Sequence, residues 1–272
     1  MSAASRSSAG RIALNSAAGL SLAFILMPLF FVTWLAFFRQ EIPSFPPDGY
    51  STKWFSAAAS NKSFIDGFIL SVQVGVVSTL IGLALGVPAS LALVRHRIPL
   101  GPMFNTLLLL PLVMPGIVLG TATYVFQIET EIATGLPVLG SLGGLIAAHT
   151  LVVVPWVVRL VSASLVGFDR TIEEAAQNLG AGPFTTFWRV TLPSIRPGLV
   201  AAALFGFVTS FGNLEMSLFL VGPGRTTLPI AILQYLEWKI DPTVAAASLI
   251  QIVLIGVAMV VTDRYVKLSR VV

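Results

Sequence analysis

Cysteine is absent from the 272 residues, which excludes a disulfide scaffold, thiol catalysis and cysteine-ligated metal. Charge is nearly as scarce. Asp, Glu, Lys and Arg together supply 10% of the chain against 56% for the AVILMFWYC set, whereas soluble domains carry roughly 25% charged residues. Mean hydropathy is +0.89. Too little polar surface exists to keep such a chain dissolved as a monomer, so the composition specifies an integral membrane protein. The four lysines, at 53, 62, 239 and 267, all lack the glycine-rich run of a GxxxxGK(S/T) phosphate loop, so this chain is expected to hold no ATP of its own. Two histidines without an HExxH pair leave no expected metal site. The net charge of +4 comes from basic residues scattered singly between apolar blocks, which fits membrane topology and argues against a nucleic-acid partner.

Long apolar runs are what the sequence has in their place. A bilayer core needs roughly 20 apolar helical residues, and six blocks qualify: Leu14–Phe38, Gly67–Val94, Met103–Phe126, Leu142–Leu165, Gly198–Val221 and Val244–Val261. Alternating ten-residue strands are not seen, so the expectation is an all-α bundle rather than a β-barrel. With six spans, both termini and the second and fourth loops share one side. That side holds eleven Lys and Arg (residues 6, 11, 95, 97, 159, 170, 189, 196, 264, 267 and 270) against five (39, 53, 62, 225 and 239) on the other. The positive-inside rule then places both termini in the cytoplasm. The first run exceeds the usual signal-peptide core and no small-x-small site closes it, so it is read as an uncleaved signal anchor. Gly82-Leu-Ala-Leu-Gly86 and Gly116-Ile-Val-Leu-Gly120 are small-xxx-small patterns that allow close helix approach.

One polar stretch carries a mechanism. Residues 167–197, on the cytoplasmic side, are too polar to span and too patterned to be disordered. Asp169-Arg-Thr171-Ile-Glu173-Glu174 places acids in a first helical turn, where the dipole favours them. Ile172, Ala175, Ala176 and Leu179 recur at helical spacing, and Gly180-Ala-Gly182-Pro183 stops the helix. A second short element, Phe184 to Val190, follows before Leu192-Pro193. The expectation is a helix-turn-helix with an exposed apolar face, which calls for a partner. Lipid is the rival occupant, but anionic headgroups favour Lys and Arg, and this helix is acidic.

Glu174-Ala175-Ala176, three residues, Gly180, nine residues, then Val190-Thr191-Leu192-Pro193 resembles the EAA loop of binding-protein-dependent ABC importer permeases, with Val190 in place of Ile. The resemblance implies a type I importer permease fold of six transmembrane helices, one permease domain over 1–272, with 167–197 as the coupling loop. It implies that Glu173, Glu174, Ala175, Ala176, Gly180, Val190, Leu192 and Pro193 serve docking to a separate ABC ATPase dimer, which would carry the ATP and Mg. Glu174 would meet the ATPase, Gly180 would allow the turn between the short helices, and Leu192-Pro193 would fix the exit toward the fifth span. A second permease, forming a heterodimer, and an extracytoplasmic solute-binding protein are the other implied partners, in a bacterial cytoplasmic membrane. The external loop Arg39–Asp66, with Pro43, Pro46 and Pro47, is either a docking element for a binding protein or a plain exposed connection.

The stretches Ser210 to Pro223, Thr226-Thr-Leu-Pro229 and Asp241-Pro-Thr-Val-Ala245 resemble the second permease of spermidine/putrescine-type importers, a group whose solutes also include opines and aminoethylphosphonate. The acidic pair often found shortly after the Ser-Phe is replaced here by Gly212 and Asn213, with Glu215 two residues on. Glu215 is the one carboxylate well inside an expected span. Burial of such a group costs roughly 2.5–3.5 kcal/mol on insertion scales unless it meets water or a partner. It is therefore either a contact for a cationic solute or a helix partner, for Arg159 or for the neighbouring permease. Gln73, Tyr124 and Asn213 are further pathway candidates, each with helix packing as the alternative.

Enzymatic readings find little footing. Gly140-Ser141-Leu142-Gly143 near His149 lacks the glycine at 139 that a GxSxG elbow needs, and His149 has no acidic neighbour in sequence. An ion-coupled secondary transporter is the alternative transport reading. It requires more mid-membrane charge than Glu215 and leaves the EAA pattern without a purpose, and no repeat of the first three spans is visible in the last three.

Overall fold

A computed structural model describes residues 8–96 and 98–266. Arg6, Arg97, Lys267 and Arg270, which entered the charge count, lie outside the described residues. Helices dominate, and no strands form among the described residues beyond two isolated bridges, Phe38–Tyr50 and Gly140–Val221. The order is α1 Ser8–Leu35, α2 Lys53–Ser60, α3 Lys62–Arg95, α4 Gly101–Leu109, a 3-10 turn Leu110–Leu112, α5 Gly116–Thr134 and α6 Leu142–Val166. Then come α7 Thr171–Asn178, α8 Pro183–Thr186, a π-helical segment Phe187–Thr191, α9 Leu192–Ser194, α10 Arg196–Phe211, α11 Leu214–Leu220, α12 Leu228–Trp238 and α13 Thr243–Val266. Four helices are long and apolar enough to cross a membrane, and six spans result if each of two bent pairs is counted as one.

Two of the expected spans are corrected, one by the first of these bends and one by a separate break at Gly212. Met103–Phe126 is not one straight helix. Pro111 sits in the 3-10 turn and Pro115 precedes α5, so the backbone N–H groups needed to continue α4 are missing; the two arms meet at 103°. Gly198–Val221 is interrupted as well. Helix α10 stops at Phe211, Gly212 follows, and the Asn213 side chain accepts from Met216 N at 2.9 Å to start α11 afresh. A 70° bend separates α10 from the preceding Pro183–Ser194 stretch. Pro88 and Pro155, by contrast, lie within unbroken helices.

The chain divides into two compact units, Met1–Asn61 with Tyr235–Ile252, and Lys62–Gln234 with Val253–Val272. In the first unit the segment after α1 is more ordered in form than a plain connection: Trp54 of α2 is buried and its Nε1 donates to Phe38 O at 2.6 Å. In the second unit α3, α6 and α10 form the core around Val153, Val157 and Val161, none of which retains exposed surface. Glycine makes that approach possible. A Cβ at Gly82 would lie 2.5 Å from Val153 Cγ1, and one at Gly86 would lie 2.6 Å from Val157 Cγ1. Ser78 Oγ supplies a cross-helix bond, donating to Ile146 O at 3.0 Å, whereas Ser90 Oγ donates within α3 to Gly86 O at 2.8 Å and lies 3.3 Å from Val158 O. Both small-xxx-small patterns are thus packing seams. Gly116 and Gly120 of α5 are the floor on which Glu215 and Phe219 of α11 rest.

Candidate functional site

The loop after α6 begins as its residues dictate. Thr171 N donates to Asp169 Oδ1 at 3.0 Å, which opens α7 and holds the Asp169 carboxyl below the usual carboxylate range. Helix α7 ends in a Schellman arrangement: Ala181 N donates to Ala176 O at 3.0 Å and Gly180 N to Gln177 O at 2.9 Å, with Gly180 at φ +88°. The expected turn at Gly180 is present. Beyond it the chain leaves Leu179 90% and Phe184 77% exposed, alongside exposed Ile172 and Trp188. Glu174 and Ala175 are exposed as well. Val190 and Leu192 are half-buried and Pro193 is exposed, while the neighbouring Thr191 and Ile195 are buried at the base of the loop.

The two acids of α7 part company. Glu174 is 62% exposed and lies 3.8 Å from Arg170 Nε one turn back, a pair of little energetic weight at that exposure. Glu173, expected to share the docking surface, turns inward. Its Oε1 takes a hydrogen bond from Thr191 Oγ1 at 2.6 Å and lies 3.2 Å from Arg95 Nη2 at the end of α3. Nothing in the sequence pattern linked Arg95 to this loop; it had counted only toward topology.

The pathway candidates scatter. Glu215 lies in the first turn of the short helix α11 rather than deep in a continuous span, and it is exposed, its carboxyl filling the space above Gly116 at the start of α5. The first turn of α5 presents backbone N–H groups without helical partners, a setting that suits a carboxylate. Glu215 makes no ion pair with Arg159. His149, which contacts α11, precedes Arg159 on α6 by ten residues (149 to 159), about 15 Å of helix. Asn213 serves as the α11 cap described above. Tyr124 packs against the cluster of Val74, Leu119, Leu145 and Met216, so packing accounts for it. Gln73 is exposed on a polar cleft of about 790 Å³ that Asp66, Arg225, Thr226 and Gln234 also line. Arg225 is fixed there by donating to Gly140 O at 2.9 Å.

His149 is the residue most changed by the fold. It is 1% exposed, with Nδ1 2.8 Å from Ser210 Oγ on α10 and Nε2 3.3 Å from Ser217 Oγ on α11. Ser217 spends its single hydroxyl proton on Asn213 O at 2.7 Å. A ring proton on Nε2 completes the contact with Ser217. The ring bridges the two sides of the Gly212 break. His149→Phe, which keeps a ring and removes both bonds, is expected to cost about 1–3 kcal/mol. Thermal unfolding of the purified chain in detergent reads this directly, and an unchanged midpoint would remove the bridge from the account of the break.

Comparison with known proteins agrees with this geometry. The family model described as "Binding-protein-dependent transport system inner membrane component" matches residues 78–270. The putrescine transport system permease protein PotI of Escherichia coli (strain K12) is 29% identical over 210 residues, covering 77% of this chain and 75% of that protein. The molybdenum transport system permease protein ModB of Mycobacterium tuberculosis (strain ATCC 25618 / H37Rv) is 35% identical over 219 residues, 76% of this chain and 81% of that protein. A crystal structure of a bacterial ABC transporter involved in the import of the acidic polysaccharide alginate shares the fold, with TM-score 0.72 at 14% identity over 97% of this chain and 99% of that one.

Proposed function

Because the chain belongs to the family of binding-protein-dependent transport system inner membrane components, and so is a permease component of an ABC importer rather than a catalytic subunit, we propose that it forms one half of an ATP-driven solute pathway in a bacterial cytoplasmic membrane. The observation that carries the reading is the loop 167–197. Its apolar face of Ile172, Leu179, Phe184 and Trp188 is uncovered, and its base is anchored on the α3–α6–α10 core through Ile195. An uncovered apolar surface of this kind calls for a protein partner, and the EAA spacing from Glu174 to Pro193 names an ABC ATPase subunit, the holder of ATP and Mg. A second permease and an extracytoplasmic solute-binding protein complete the assembly, with the loop in the cytoplasm and the Asp66–Arg225 cleft on the opposite side.

The solute is read as small, polar and nitrogen-containing, of the polyamine, opine or aminoethylphosphonate kind. Similarity to a putrescine permease supports this, as does the exposed carboxylate of Asp66, which shares the polar cleft with Gln73 and suits a cationic group. Similarity to a molybdenum permease supports only the transport class. Nothing favours an ion-coupled carrier.

Co-purification of the tagged chain from its native membrane, with identification of what accompanies it, tests the reading. An ATPase, a second multi-span chain and a binding protein are expected, and the binding protein can then be titrated calorimetrically with diamines, opines and phosphonates. Recovery of the chain without an ATPase after gentle extraction would count against the importer.

A further inference from the structure

Arg95 stands in the last turn of α3, where any cation complements the helix dipole, and that alone would account for a basic residue. Its surroundings ask more of it. Arg95 and Glu173 form a pair in which each side chain is only 13% exposed, and the guanidinium carbon lies 5.5 Å over the Phe168 ring. Thr191, itself buried, donates to the same Glu173 oxygen. One carboxylate oxygen therefore joins the end of α3, the first turn of α7 and the last residue of the π-helical segment. Arg95 Nε is buried without a hydrogen-bond partner, so the guanidinium is held here for Glu173 and the Phe168 ring at the expense of its own donors. Beneath the pair, Val94, Phe168 and Phe187 pack on the buried cluster that includes Leu165 and Ile195.

We propose that Arg95, Glu173 and Thr191 form a transmission clamp, with Glu173 as a positioning residue that makes the loop and α3 move as one body. The clamp rests on the coupling reading above. A load applied to the exposed face of the loop reaches α3 through this joint. Helix α3 runs 34 residues, about 50 Å, to the polar cleft where Ser63, Asp66 and Gln73 lie. Breaking the joint leaves the docking face, which uses Glu174, Leu179 and Phe184, unaltered.

The absence of native cysteine makes the test direct. Spin labels at Ser63→Cys and Asn178→Cys, both exposed positions, report the distance from the far end of α3 to the loop in the assembled transporter. That distance is measured without nucleotide and after trapping with ATP, Mg and vanadate. In the otherwise native chain it is expected to hold within about 2 Å, the scale of small helix shifts. In Arg95→Glu and in Glu173→Gln, the second of which keeps side-chain volume, it is expected to change on trapping, with the ATPase still co-purifying. The Arg95→Glu/Glu173→Arg exchange is expected to return the native behaviour. The clamp is overturned if the native distance changes on trapping, if the single variants behave as the native chain, if they lose the ATPase, or if the exchange restores nothing. An unsubstituted chain that never retains an ATPase defeats the coupling reading itself, and that result is visible before any variant is made.

Discussion

Gly180→Val is expected to abolish retention of the ATPase while the spans stay folded and inserted. Gly180 occupies φ +88° at the position just past the end of α7, and a Cβ there would meet no atom within 4 Å. The penalty is therefore purely one of backbone conformation. A β-branched residue in the left-handed region costs roughly 1–2 kcal/mol, and the chain can relieve this only by turning elsewhere at the end of α7. Turning there breaks the paired bonds from Gly180 N and Ala181 N and re-aims Leu179 and Phe184, the two most exposed apolar groups of the loop. The rest of the loop is fixed at its base by Ile195, so the damage stays local. Gly180→Asp is expected to fail as well, since it adds a charge next to Leu179. Gly180→Asn, which tolerates this conformation, is expected to retain most of the binding. The checks are co-purified ATPase per chain and the thermal midpoint in detergent. Full ATPase retention by the valine variant would remove Gly180 from the docking mechanism.

The contrast between Glu174 and Glu173 shows how far a sequence pattern reaches. Spacing alone put α7, its glycine stop and the second short element where they are, because each rests on bonds within a few residues: Asp169 to Thr171, Ala181 to Ala176, Gly180 to Gln177. The inward turn of Glu173 depends on Arg95, 78 residues earlier, and no local rule carries that information. The same holds for His149, whose partners lie 61 and 68 residues away. The breaks near Pro115 and Gly212 were signalled by proline and glycine, yet in membrane helices those residues are compatible with a continuous span, as Pro88 and Pro155 demonstrate. What separates the cases is local. Pro111 and Pro115 fall four residues apart, and Asn213 offers a cap where a new helix can begin. The small-xxx-small seams were legible as seams, but the facing residues, Val153 and Val157 for one and Glu215 and Phe219 for the other, were not.

Gly86→Ala carries the largest expected effect on the bundle itself. A methyl group at Gly86 would lie 2.6 Å from Val157 Cγ1 and 2.8 Å from Val157 Cβ. The second distance is decisive, because a Cβ cannot swing away on a side-chain torsion; α3 and α6 would have to separate. Val157 has no exposed surface, so separation opens a fully buried part of the core, and overpacking of this kind costs about 1–3 kcal/mol. The sign is what makes the case specific. Gly256 of α13 has nothing within 4 Å of a Cβ, and Gly256→Ala should raise stability slightly, since glycine in a helix gives up roughly 0.5–1 kcal/mol relative to alanine. Val157→Ala added to Gly86→Ala removes the clash with Cγ1 but keeps the 2.8 Å approach to Cβ, so it is expected to restore only part of the lost midpoint, and the two substitutions should be non-additive. Thermal unfolding of the four variants in one detergent decides the matter. If Gly86→Ala and Gly256→Ala shift the midpoint alike, α3 and α6 are not held at glycine distance, and Ser78 loses the close approach on which its bond to Ile146 O depends.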